Sequence, residues 1–578
     1  MVSLRAVVAP GLLGAFADAE ILEAADVHVA RRLTALAGDT DESVALAVAL
    51  VVRALRAGSV CVDLRSVADQ VARPELPWPP REQWLAAVRA SPLVGSPPVL
   101  RLFGHGTGEL LYLDRYWLEE QQVCDDVLAL LASTPPDDTL PDGTVPSLRR
   151  LFPEGREEQR AAAEVALTQS LTVLTGGPGT GKTSTVARLL ALLAEQASLT
   201  GKPPLRIALA APTGKAAARL LEAVQLEVGM LDAADRDRLP ELTSSTLHRL
   251  LRSRPDSSSR FRHHRENRLP HDVIVVDETS MVSLTLMARL LEAVRPDSRL
   301  LLVGDPDQLA SVEAGAVLAD LVDGLGGRDD VRIAALQTSH RFGESIGALA
   351  AAIRDGAADG VIGLLAAGGE HIEWLDTDEP GDQLRKVLLP HALRLREAAI
   401  LGDGAAGLAT LGEHRLLCAH RRGPYGVRYW NRQIERWLTE STGEPIWTDW
   451  YAGRPVLVTA NDYGLGLYNG DTGVTVVRGN GLCAVVGSGA GPVEFATGRL
   501  ADVDTMHAMT IHKSQGSQAD EITVLLPQEE SRLLTRELFY TAVTRAKARV
   551  RVVGSEAAIR HAISRRVVRA SGLARRLR

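Results

Sequence analysis

The sequence predicts an α/β protein with two parallel-sheet domains, a helical N-terminal domain before them and a small β-rich insertion in the second. At 578 residues the chain exceeds what one hydrophobic core can hold, so several domains are expected. After residue 148, short apolar segments alternate with amphipathic helical patterns, which is typical of parallel sheets. Between about 430 and 500, Gly and Val dominate and Asn469-Gly470-Asp471 forms a turn signal, which indicates the insertion.

The N-terminal region is predicted to be mainly helical over residues 1–112. It is rich in Ala and Leu at helical spacing, and it carries no catalytic constellation. The longest strongly apolar run, residues 44–52, continues to a helix stop at Gly58. This run predicts a buried helix that is too short to cross a membrane. A Pro-rich stretch over residues 135–146 places a linker at 113–147.

Composition and charge are ordinary for a globular protein, with 46% hydrophobic and 24% charged residues. The net charge of -8 does not by itself indicate a nucleic-acid partner, although a local basic track would be enough for one. The cysteines form no CxxC pair, which argues against disulfide, zinc and iron–sulfur sites and points to a reducing cytoplasm. They are Cys61, Cys124, Cys418 and Cys483.

Residues 560–578 hold seven arginines and no acid, and we predict a solvated helical tail there.

The apolar segments after residue 148 are predicted to be the buried strands of the two sheets. The first domain, 148–343, takes the strands 171–175, 207–211, 273–277 and 300–304. The second domain, 344–430 and 501–578, takes the strands 416–419, 522–526 and 550–553. The insertion is predicted to be residues 431–500.

A glycine-rich segment after the first predicted strand matches a phosphate-binding loop (P-loop). Residues 176–183 fit GxxxxGK[ST], and their place between a strand and a helix makes the match specific. The glycines let backbone N–H groups surround phosphates at a helix N-terminus. We expect Lys182 to reach the β- and γ-phosphates of ATP and Thr183 to ligate Mg²⁺. The residues predicted to bind the nucleotide are Gly176, Gly177, Pro178, Gly179, Thr180, Gly181, Lys182, Thr183 and Ser184.

Acidic, amide and arginine side chains at later positions complete the predicted hydrolytic set. We expect Asp277 to hold Mg²⁺ and Glu278, the next residue, to orient and deprotonate the attacking water. Gln308 lies in a Gly-Asp-x-x-Gln turn and is placed to sense the γ-phosphate. Arg341 and Arg545 are the predicted arginine fingers. If Arg545 belongs to the second domain, ATP must bind in a cleft between the two domains.

Taken in this order, the motifs resemble those of superfamily-one helicases, and most closely the RecD family, the α subunits of exodeoxyribonuclease V. The resemblance covers residues 150–555 firmly and the N-terminal part more weakly. Beyond the phosphate-binding loop, the matching segments are residues 211–217, 245–251, 276–281, 303–309, 509–517 and 540–547. The family implies that both parallel-sheet domains are RecA-like P-loop domains.

The resemblance also implies a single-strand track and an adenine contact. The track residues would be Pro212, Thr213, Lys215, Thr246, His248, Thr510, His512 and Lys513. Short hydroxyl, imidazole and ammonium donors at loop ends suit phosphate contacts that read no sequence. Gln159 matches the family's adenine-reading glutamine. At Gln518 the sequence departs from the family pattern, in which many members carry Glu, so a ribose contact by this side chain is not implied.

The function that the resemblance implies is an ATP-dependent 5′→3′ DNA helicase or translocase with ATP and Mg²⁺ as cofactors. Its partners would be single-stranded and tailed duplex DNA and RecB-like and RecC-like subunits, in a helicase–nuclease for double-strand break repair and recombination. We expect the N-terminal domain to dock these subunits, because it carries no site of its own. A need for cellular ATP predicts a cytoplasmic, nucleoid-associated protein without a membrane span, although residues 1–20 faintly resemble a signal peptide.

Three alternatives stay open. A stand-alone RecD-like helicase is disfavoured, because such relatives carry an extra N-terminal extension. A nuclease is disfavoured, because no carboxylate cluster with a nearby lysine indicates a metal-dependent cutting site. A non-catalytic scaffold subunit is disfavoured by the intact hydrolytic set.

Overall fold

The computed structural model describes residues 11–104, 109–133, 143–254, 257–338, 344–462, 464–488 and 491–578. Two parallel sheets dominate the described residues, a mainly helical domain precedes them, and an antiparallel sheet is inserted in the second. Alternate residues of the first sheet, such as Ile274 and Val275, lie in hydrophobic clusters on its opposite faces. A strand that is buried on both faces has a nearly continuous apolar sequence, as these segments do. The predicted fold class is confirmed.

The N-terminal domain packs helices around a small antiparallel sheet. Its elements are α1 (Gly11–Asp18), α2 (Ala24–Ala37), α3 (Glu42–Arg56), β1 (Val62–Asp63), α4 (Val67–Val71), α5 (Arg81–Ala90), β2 (Leu100–Phe103) and β3 (Leu110–Leu113), followed by α6 (Asp114–Ala132). The strand order is β1-β3-β2. α3 is the helix predicted up to Gly58: the Asp41 carboxylate caps it, accepting the N–H of Ser43 at 2.8 Å, and residues 44–51 are buried.

The first α/β domain contains a parallel sheet with the strand order β11-β4-β10-β9-β5-β6. Its elements are α7 (Thr144–Leu151), α8 (Glu157–Thr168), β4 (Leu171–Gly176), α9 (Lys182–Leu199), β5 (Ile207–Ala211), α10 (Gly214–Gly229), α11 (Ala233–Arg238), β6 (Ser244–Thr246), α12 (Leu247–Leu251), β7 (Ser253–Arg254), β8 (Ser257–Phe261), β9 (Val273–Val276), α13 (Leu284–Ala293), β10 (Arg299–Gly304), α14 (Val317–Leu325) and β11 (Ala334–Leu336). β7 and β8 form a separate hairpin. Because β4, β9 and β10 run parallel, their carboxyl ends meet at one edge of the sheet, where ligands bind in such folds.

The second α/β domain contains a parallel sheet with the order β12-β21-β20-β13-β19, and the insertion an antiparallel sheet with the order β17-β16-β15-β14-β18. In chain order the elements are α15 (Glu344–Asp355), α16 (Ala358–Ala367), β12 (Ile372–Leu375), α17 (Gly381–Ile400), α18 (Gly404–Glu413), β13 (His414–Cys418), α19 (Val427–Thr442), β14 (Pro455–Val458), β15 (Thr472–Arg478), β16 (Gly481–Ser488), β17 (Gly491–Ala496), β18 (Val503–Thr505), β19 (Ala508–Thr510), α20 (Ile511–Ser514), β20 (Ala519–Leu525), α21 (Arg536–Val543), β21 (Ala546–Val553), α22 (Glu556–Ser564) and α23 (Leu573–Leu577). Short 3₁₀ turns lie at Pro92–Val94, Thr279–Met281 and Thr497–Arg499.

The linker and insertion differ from the predicted ranges. α6 occupies most of the described part of 113–147 and packs along α13 and α23, because Val123, Val127 and Leu130 form a buried stripe at helical spacing. The stretch 134–142 lies outside the described residues. α19 packs in the second domain through Trp430 and Ile434, so the antiparallel insertion begins at β14, after residue 431, and its last strand is β18.

The C-terminal segment returns to the first domain. α23 packs against α14 and α6, and its Leu573 and Leu577 side chains are fully buried there. The prediction of a solvated tail was wrong, because one apolar face of α23 is buried while Arg576 pairs with the buried Glu120 at 3.0 Å. The Val567 N–H still donates to Glu537 of the second domain, whereas Arg569 donates to carbonyls of the first domain. After residue 567 the chain therefore leaves the domain to which 501–578 was assigned. Among the described residues, no helix combines the length and the apolar character that a membrane crossing requires.

Candidate functional site

The glycine-rich loop joins β4 to α9, and the lysine at its end hydrogen-bonds back to the backbone of the loop. Gly179 and Gly181 adopt φ values of 84° and 87°, which glycine reaches without strain. A Cβ on Gly181 would lie 2.4 Å from Nε2 of Gln159, so a larger residue would displace this side chain in addition to straining the backbone. Lys182 Nζ donates to the carbonyls of Gly176 and Gly177 at 2.5 and 2.9 Å. The ammonium group is thereby held inside the loop, at the start of α9.

Gln159, the predicted adenine-reading residue, lies on α8 and is buried. Its Oε1 accepts from Nη1 of Arg156 at 3.0 Å, and the same Nη1 donates to Oγ of Ser184 at 3.0 Å. Ser184 in turn donates to the Glu227 carboxylate at 2.8 Å. A polar chain therefore joins Gln159 and Ser184, two residues of the predicted nucleotide set, through an arginine that sequence reasoning missed. The adenine contact itself stays a prediction.

Asp277 and Glu278 follow β9, the central strand beside β5 and β10. The Asp277 N–H donates to the carbonyl of Ala210 at 2.9 Å, which fixes the strand end. Burial and the neighbouring negative charge of Glu278 raise the pKa of Asp277 to about 6. Glu278 adopts φ 50°, a left-handed conformation that is costly for a residue with a side chain and that clusters at functional sites.

Gln308 follows β10 and is linked to the second α/β domain through Asp305. Its Nε2 donates to Oδ2 of Asp305 at 3.0 Å, and the hydroxyl of Tyr540 donates to the same oxygen at 3.0 Å. Burial raises the pKa of Asp305. Gln308 Oε1 is buried and accepts no hydrogen bond from the described residues.

Arg545 comes from the second domain, at the end of α21, yet it lines the same cleft as the phosphate-binding loop. The side chain is almost fully buried, and its Nε donates to the carbonyl of Thr541 at 3.1 Å. Burial lowers the pKa of Arg545, and the charge of Glu278 opposes this shift. The cleft has a volume of about 510 Å³, and Lys182, Asp277 and Gln308 also line it. Arg341 lies outside the described residues.

The cleft fits a magnesium–nucleotide. The glycine loop offers backbone and side-chain hydrogen-bond donors, which suit the phosphates of a nucleotide. The Thr183 hydroxyl and the Asp277 carboxylate are oxygen ligands of the kind that Mg²⁺ prefers. The buried Oε1 of Gln308 is an acceptor whose hydrogen bond the described residues do not supply.

Two further cleft residues, Arg219 and Asp305, escaped the sequence reasoning, as did Tyr540, which contacts Asp305 beside the cleft. Tyr540 approaches the glycine loop closely, because a Cβ on Gly177 would lie 3.1 Å from its hydroxyl. Asp305 stands in the same turn as Gln308, so its place in the motif was a usable signal. Arg219 is four residues after Lys215 on α10, and its contact with the cleft depends on tertiary structure.

The predicted track residues lie on loops of both domains that lead into helices. Thr213, Thr246 and Thr510 each cap a helix, and each hydroxyl accepts the backbone N–H three residues on, at 3.2, 3.2 and 3.3 Å. Thr246 and Thr510 are nearly buried, whereas Pro212 is half-buried. The threonines thus fix the loop shapes, while each hydroxyl keeps a proton to donate.

The two lysines of the predicted track both contact the insertion. Lys215 Nζ donates to the carbonyl of Gly470 at 3.2 Å, and Lys513 Nζ lies 3.5 Å from the Asp504 carboxylate. Burial, with a smaller contribution from the charge of Arg415, lowers the pKa of Lys215 to about 7. The insertion therefore borders the predicted track from the second domain.

The two histidines of the predicted track differ in environment. His248 is exposed and packs edge-to-face on Phe261 with ring centroids 5.7 Å apart. Burial lowers the pKa of His512. His512 is therefore neutral at pH 7 and available as a hydrogen-bond donor through one ring nitrogen.

A nucleotide cleft shared between two parallel-sheet domains is the architecture of ATP-dependent helicases, and this protein is one of them. Family models match an AAA domain at residues 159–314, a UvrD-like helicase C-terminal domain at 505–553 and the N-terminal domain of RecBCD enzyme subunit RecD at 18–101. RecBCD enzyme subunit RecD of Mycolicibacterium smegmatis is 73% identical, over 98% of this chain and 99% of that relative. The chain belongs to the RecD family.

Two more distant similarities accompany this assignment. The ATP-dependent RecD2 DNA helicase of Deinococcus radiodurans is 32% identical, over 83% of this chain but only 60% of that relative. Among solved structures, Bacteroides Pif1 bound to single-stranded DNA covers 68% of this chain and 91% of its own, with 16% identity and a TM-score of 0.38.

Proposed function

We propose that this chain is a 5′→3′ DNA helicase and translocase, the motor subunit of a RecBCD-type helicase–nuclease that acts in double-strand break repair and recombination. Its substrates are single-stranded and tailed duplex DNA, and its cofactors are ATP and Mg²⁺. The observation that carries the proposal is the cleft in which the phosphate-binding loop of one domain and Arg545 of the other meet. Hydrolysis in a cleft of this kind changes the separation of the two domains.

The hydrolytic roles follow from the cleft geometry. Bound ATP supplies the phosphoanhydride, and its Mg²⁺ neutralises charge that develops on the phosphates. Lys182 would bind the β- and γ-phosphates, while Thr183 and Asp277 would hold the metal. Glu278 orients the attacking water and takes its proton, and the free Oε1 of Gln308 accepts a hydrogen bond from that water.

The predicted arginine fingers, Arg341 and Arg545, stabilise the negative charge of the transition state. Because Arg545 is fixed to α21 of the second domain, it reaches this charge only when the domains are closed around the nucleotide. Closure of the domains and the hydrolysis step are thereby linked.

Strand binding is assigned to Pro212, Thr213, Lys215, Thr246, His248, Thr510, His512 and Lys513, with contacts to the backbone phosphates rather than to the bases. These residues lie on both domains, so a change in domain separation moves one set of phosphate contacts relative to the other. Contacts that read no sequence can be released and remade in every cycle.

The partners and the polarity are inferred from the family. The Mycolicibacterium relative, whose name makes it a subunit of the RecBCD enzyme, matches this chain over nearly its full length. The RecD2 DNA helicase is only 32% identical, against 73% for the RecBCD subunit, which favours the subunit role. We assign the docking of RecB-like and RecC-like subunits to the N-terminal domain, and we place the complex in the cytoplasm, at the nucleoid. A scaffold role is disfavoured because all the described members of the hydrolytic set line the cleft: Lys182, Thr183, Asp277, Glu278, Gln308 and Arg545.

The test uses the chain alone and co-purified with the products of neighbouring genes, on duplexes with 5′ or 3′ single-stranded tails. We expect ATP-dependent unwinding of the 5′-tailed substrate only. Lys182→Ala should abolish strand-stimulated ATP hydrolysis, by about 100-fold or more, because the phosphates lose their ammonium contact. Lys202→Ala, at an exposed lysine, is the matched control and should leave turnover unchanged. Preference for 3′ tails, or normal turnover in Lys182→Ala, would refute the proposal.

A further inference from the structure

Arg219 of α10 crosses from the first α/β domain to the second at the wall of the nucleotide cleft. Its Nη1 donates to the carbonyl of Gly516 at 3.3 Å, and its Nη2 donates to the side-chain Oε1 of Gln518. All three residues line the cleft that holds the glycine loop and Arg545. A guanidinium that bridges a carbonyl and a side-chain amide fixes both the position and the orientation of the turn that carries them.

The two segments joined by Arg219 have the same layout. In the first domain, the track residues Thr213 and Lys215 begin α10, and Arg219 follows one helical turn after Lys215. In the second domain, track residues at the start of α20 are followed, four residues on, by the turn 516–518. Each segment thus leads from the strand track to the nucleotide cleft, and Arg219 connects the two at the cleft end.

The contact is close enough to transmit a displacement. Gly516 adopts φ 71°, and a Cβ at that position would lie 3.4 Å from the Cβ of Ala216, so the turn packs directly on the first turn of α10. The hydroxyl of Thr213 caps the same turn of the helix. A shift of the α10 N-terminus therefore moves Arg219 and the turn it holds together.

We propose that Arg219 is a positioning residue that couples strand binding to ATP hydrolysis by holding the turn 516–518, through Gln518, against α10. The proposal rests on the proposed helicase function. It gives Gln518 a role that the family pattern did not imply: a neutral acceptor makes a hydrogen bond to Arg219 that can open and close in each cycle, whereas a carboxylate would form an ion pair.

Removal of Arg219 should leave the domains docked, which makes the test interpretable. Elsewhere between the two domains, the Leu309 N–H donates to Oγ1 of Thr541 at 2.9 Å, and Nε2 of Gln515 donates to the Leu309 carbonyl at 2.8 Å. Neither bond involves α10.

The experiment measures ATP hydrolysis with and without single-stranded oligothymidylate for the wild type, Arg219→Ala, Gln518→Ala and the double variant. We expect each single change to lower the strand-stimulated kcat about tenfold, within the range typical of coupling between sites, with KM for ATP changed less than threefold. The double variant should lose no more than the worse single one, because the two residues act through one contact. Glu222→Ala, an exposed position on α10, is the control and should match the wild type.

Two outcomes overturn the proposal. Stimulation in Arg219→Ala equal to that of the control would show that the contact carries no coupling, and a raised KM with normal kcat would make Arg219 a nucleotide ligand instead. If Arg219→Ala does not fold, Arg219→Lys decides the question, because a single ammonium cannot bridge both acceptors and should lower stimulation to an intermediate level; wild-type stimulation in that variant counts against the proposal. Absence of any strand stimulation in the wild type would instead contradict the proposed helicase function.

Discussion

At the scale of single residues, the cleft combines buried carboxyl groups, whose pKa burial raises, with a residue whose backbone is strained. Asp277 and Asp305 are buried carboxyls with raised pKa values, and both face cationic groups of the site. Glu278 has a strained backbone at the end of the same strand. Such groups cost stability in isolation and cluster at functional sites. Their positions at strand ends were predictable from the motif, whereas their burial was not.

Arg545→Ala is expected to lower the strand-stimulated kcat by about 10³-fold with little change in ATP affinity, because an arginine finger acts mainly on the transition state. The measurement is a kcat and KM determination together with the affinity for a fluorescent ATP analogue. Arg532→Ala, at an exposed arginine between β20 and α21, is the matched control. Lost nucleotide affinity with normal turnover at saturating ATP would contradict the finger role.

At the scale of elements, β13 opens with a buried histidine that makes the second domain sensitive to acid. His414 Nε2 is hydrogen-bonded to Oγ1 of Thr523 at 2.9 Å, and its ring lies 5.5 Å from that of His391. Burial, and then the charges of His391, Arg551 and Arg415, hold the pKa of His414 well below 6.5. The folded state keeps this ring neutral, while the unfolded chain binds a proton below pH 6.5, so stability is lost as the pH falls through that value.

The expected loss from His414 is at most about 1.4 kcal/mol per pH unit below 6.5. His414→Gln should therefore show a smaller drop in unfolding midpoint between pH 7.5 and pH 5.0 than the wild type. The measurement is urea unfolding at both pH values. His28→Gln, at an exposed position on α2, should keep the wild-type pH dependence. Equal pH dependence in His414→Gln and the wild type would argue against a neutral buried ring.

α23 is a second element whose role depends on its contacts. Gly324 of α14 allows a close approach, since a Cβ there would lie 2.8 Å from the Cβ of Leu577. The buried Glu120 carboxylate accepts from the Tyr112 hydroxyl at 3.0 Å, from Ser571 Oγ at 3.0 Å and from Arg576 Nε at 3.0 Å. A buried carboxylate with this many donors ties α6 firmly to the C-terminal segment.

Leu573→Ala should lower the free energy of unfolding by about 2–5 kcal/mol, because it leaves a cavity between α23 and the first domain. Val568→Ala, in the same segment but 73% exposed, is the control and should change it by less than about 0.5 kcal/mol. Chemical denaturation of both variants measures the difference. A loss below 1 kcal/mol for Leu573→Ala would mean that α23 is not held as the structure describes.

At the scale of the whole molecule, the two α/β domains meet at a nucleotide cleft, and the chain crosses between them more than once. The insertion borders the track lysines from the second domain, and the C-terminal segment returns from α22 to the first domain. The proposed nucleotide-driven motion would therefore take place at the cleft while α23 stays docked.

This arrangement predicts a nucleotide-dependent change of distance between the domains. Cysteines introduced at Leu199 and Leu401, which are 70% and 77% exposed, provide labelling sites for energy transfer once Cys483, the partly exposed native cysteine, is replaced by Ser. A non-hydrolysable ATP analogue with single-stranded DNA should change the transfer efficiency, and the same labels in Lys182→Ala should show no change. An unchanged efficiency in the otherwise intact protein would contradict domain motion at the cleft.

Local sequence alone determined seven strands of the two parallel sheets, the glycine loop and the acidic strand end, because apolar runs and motif spacing are properties of neighbouring residues. It did not reveal the short strands β6, β11, β12 and β19. It did not determine that α6, predicted as part of a linker, and α23, whose apolar face has only two leucines, are packed helices. These two helices could be recognised only from the surfaces against which they pack. In the same way, only the tertiary structure brought Arg219 to Gln518, 299 residues away, and Tyr540 to Asp305, 235 residues away. Contacts between distant segments depend on how whole sheets and helices pack, and no local pattern in the chain encodes that packing.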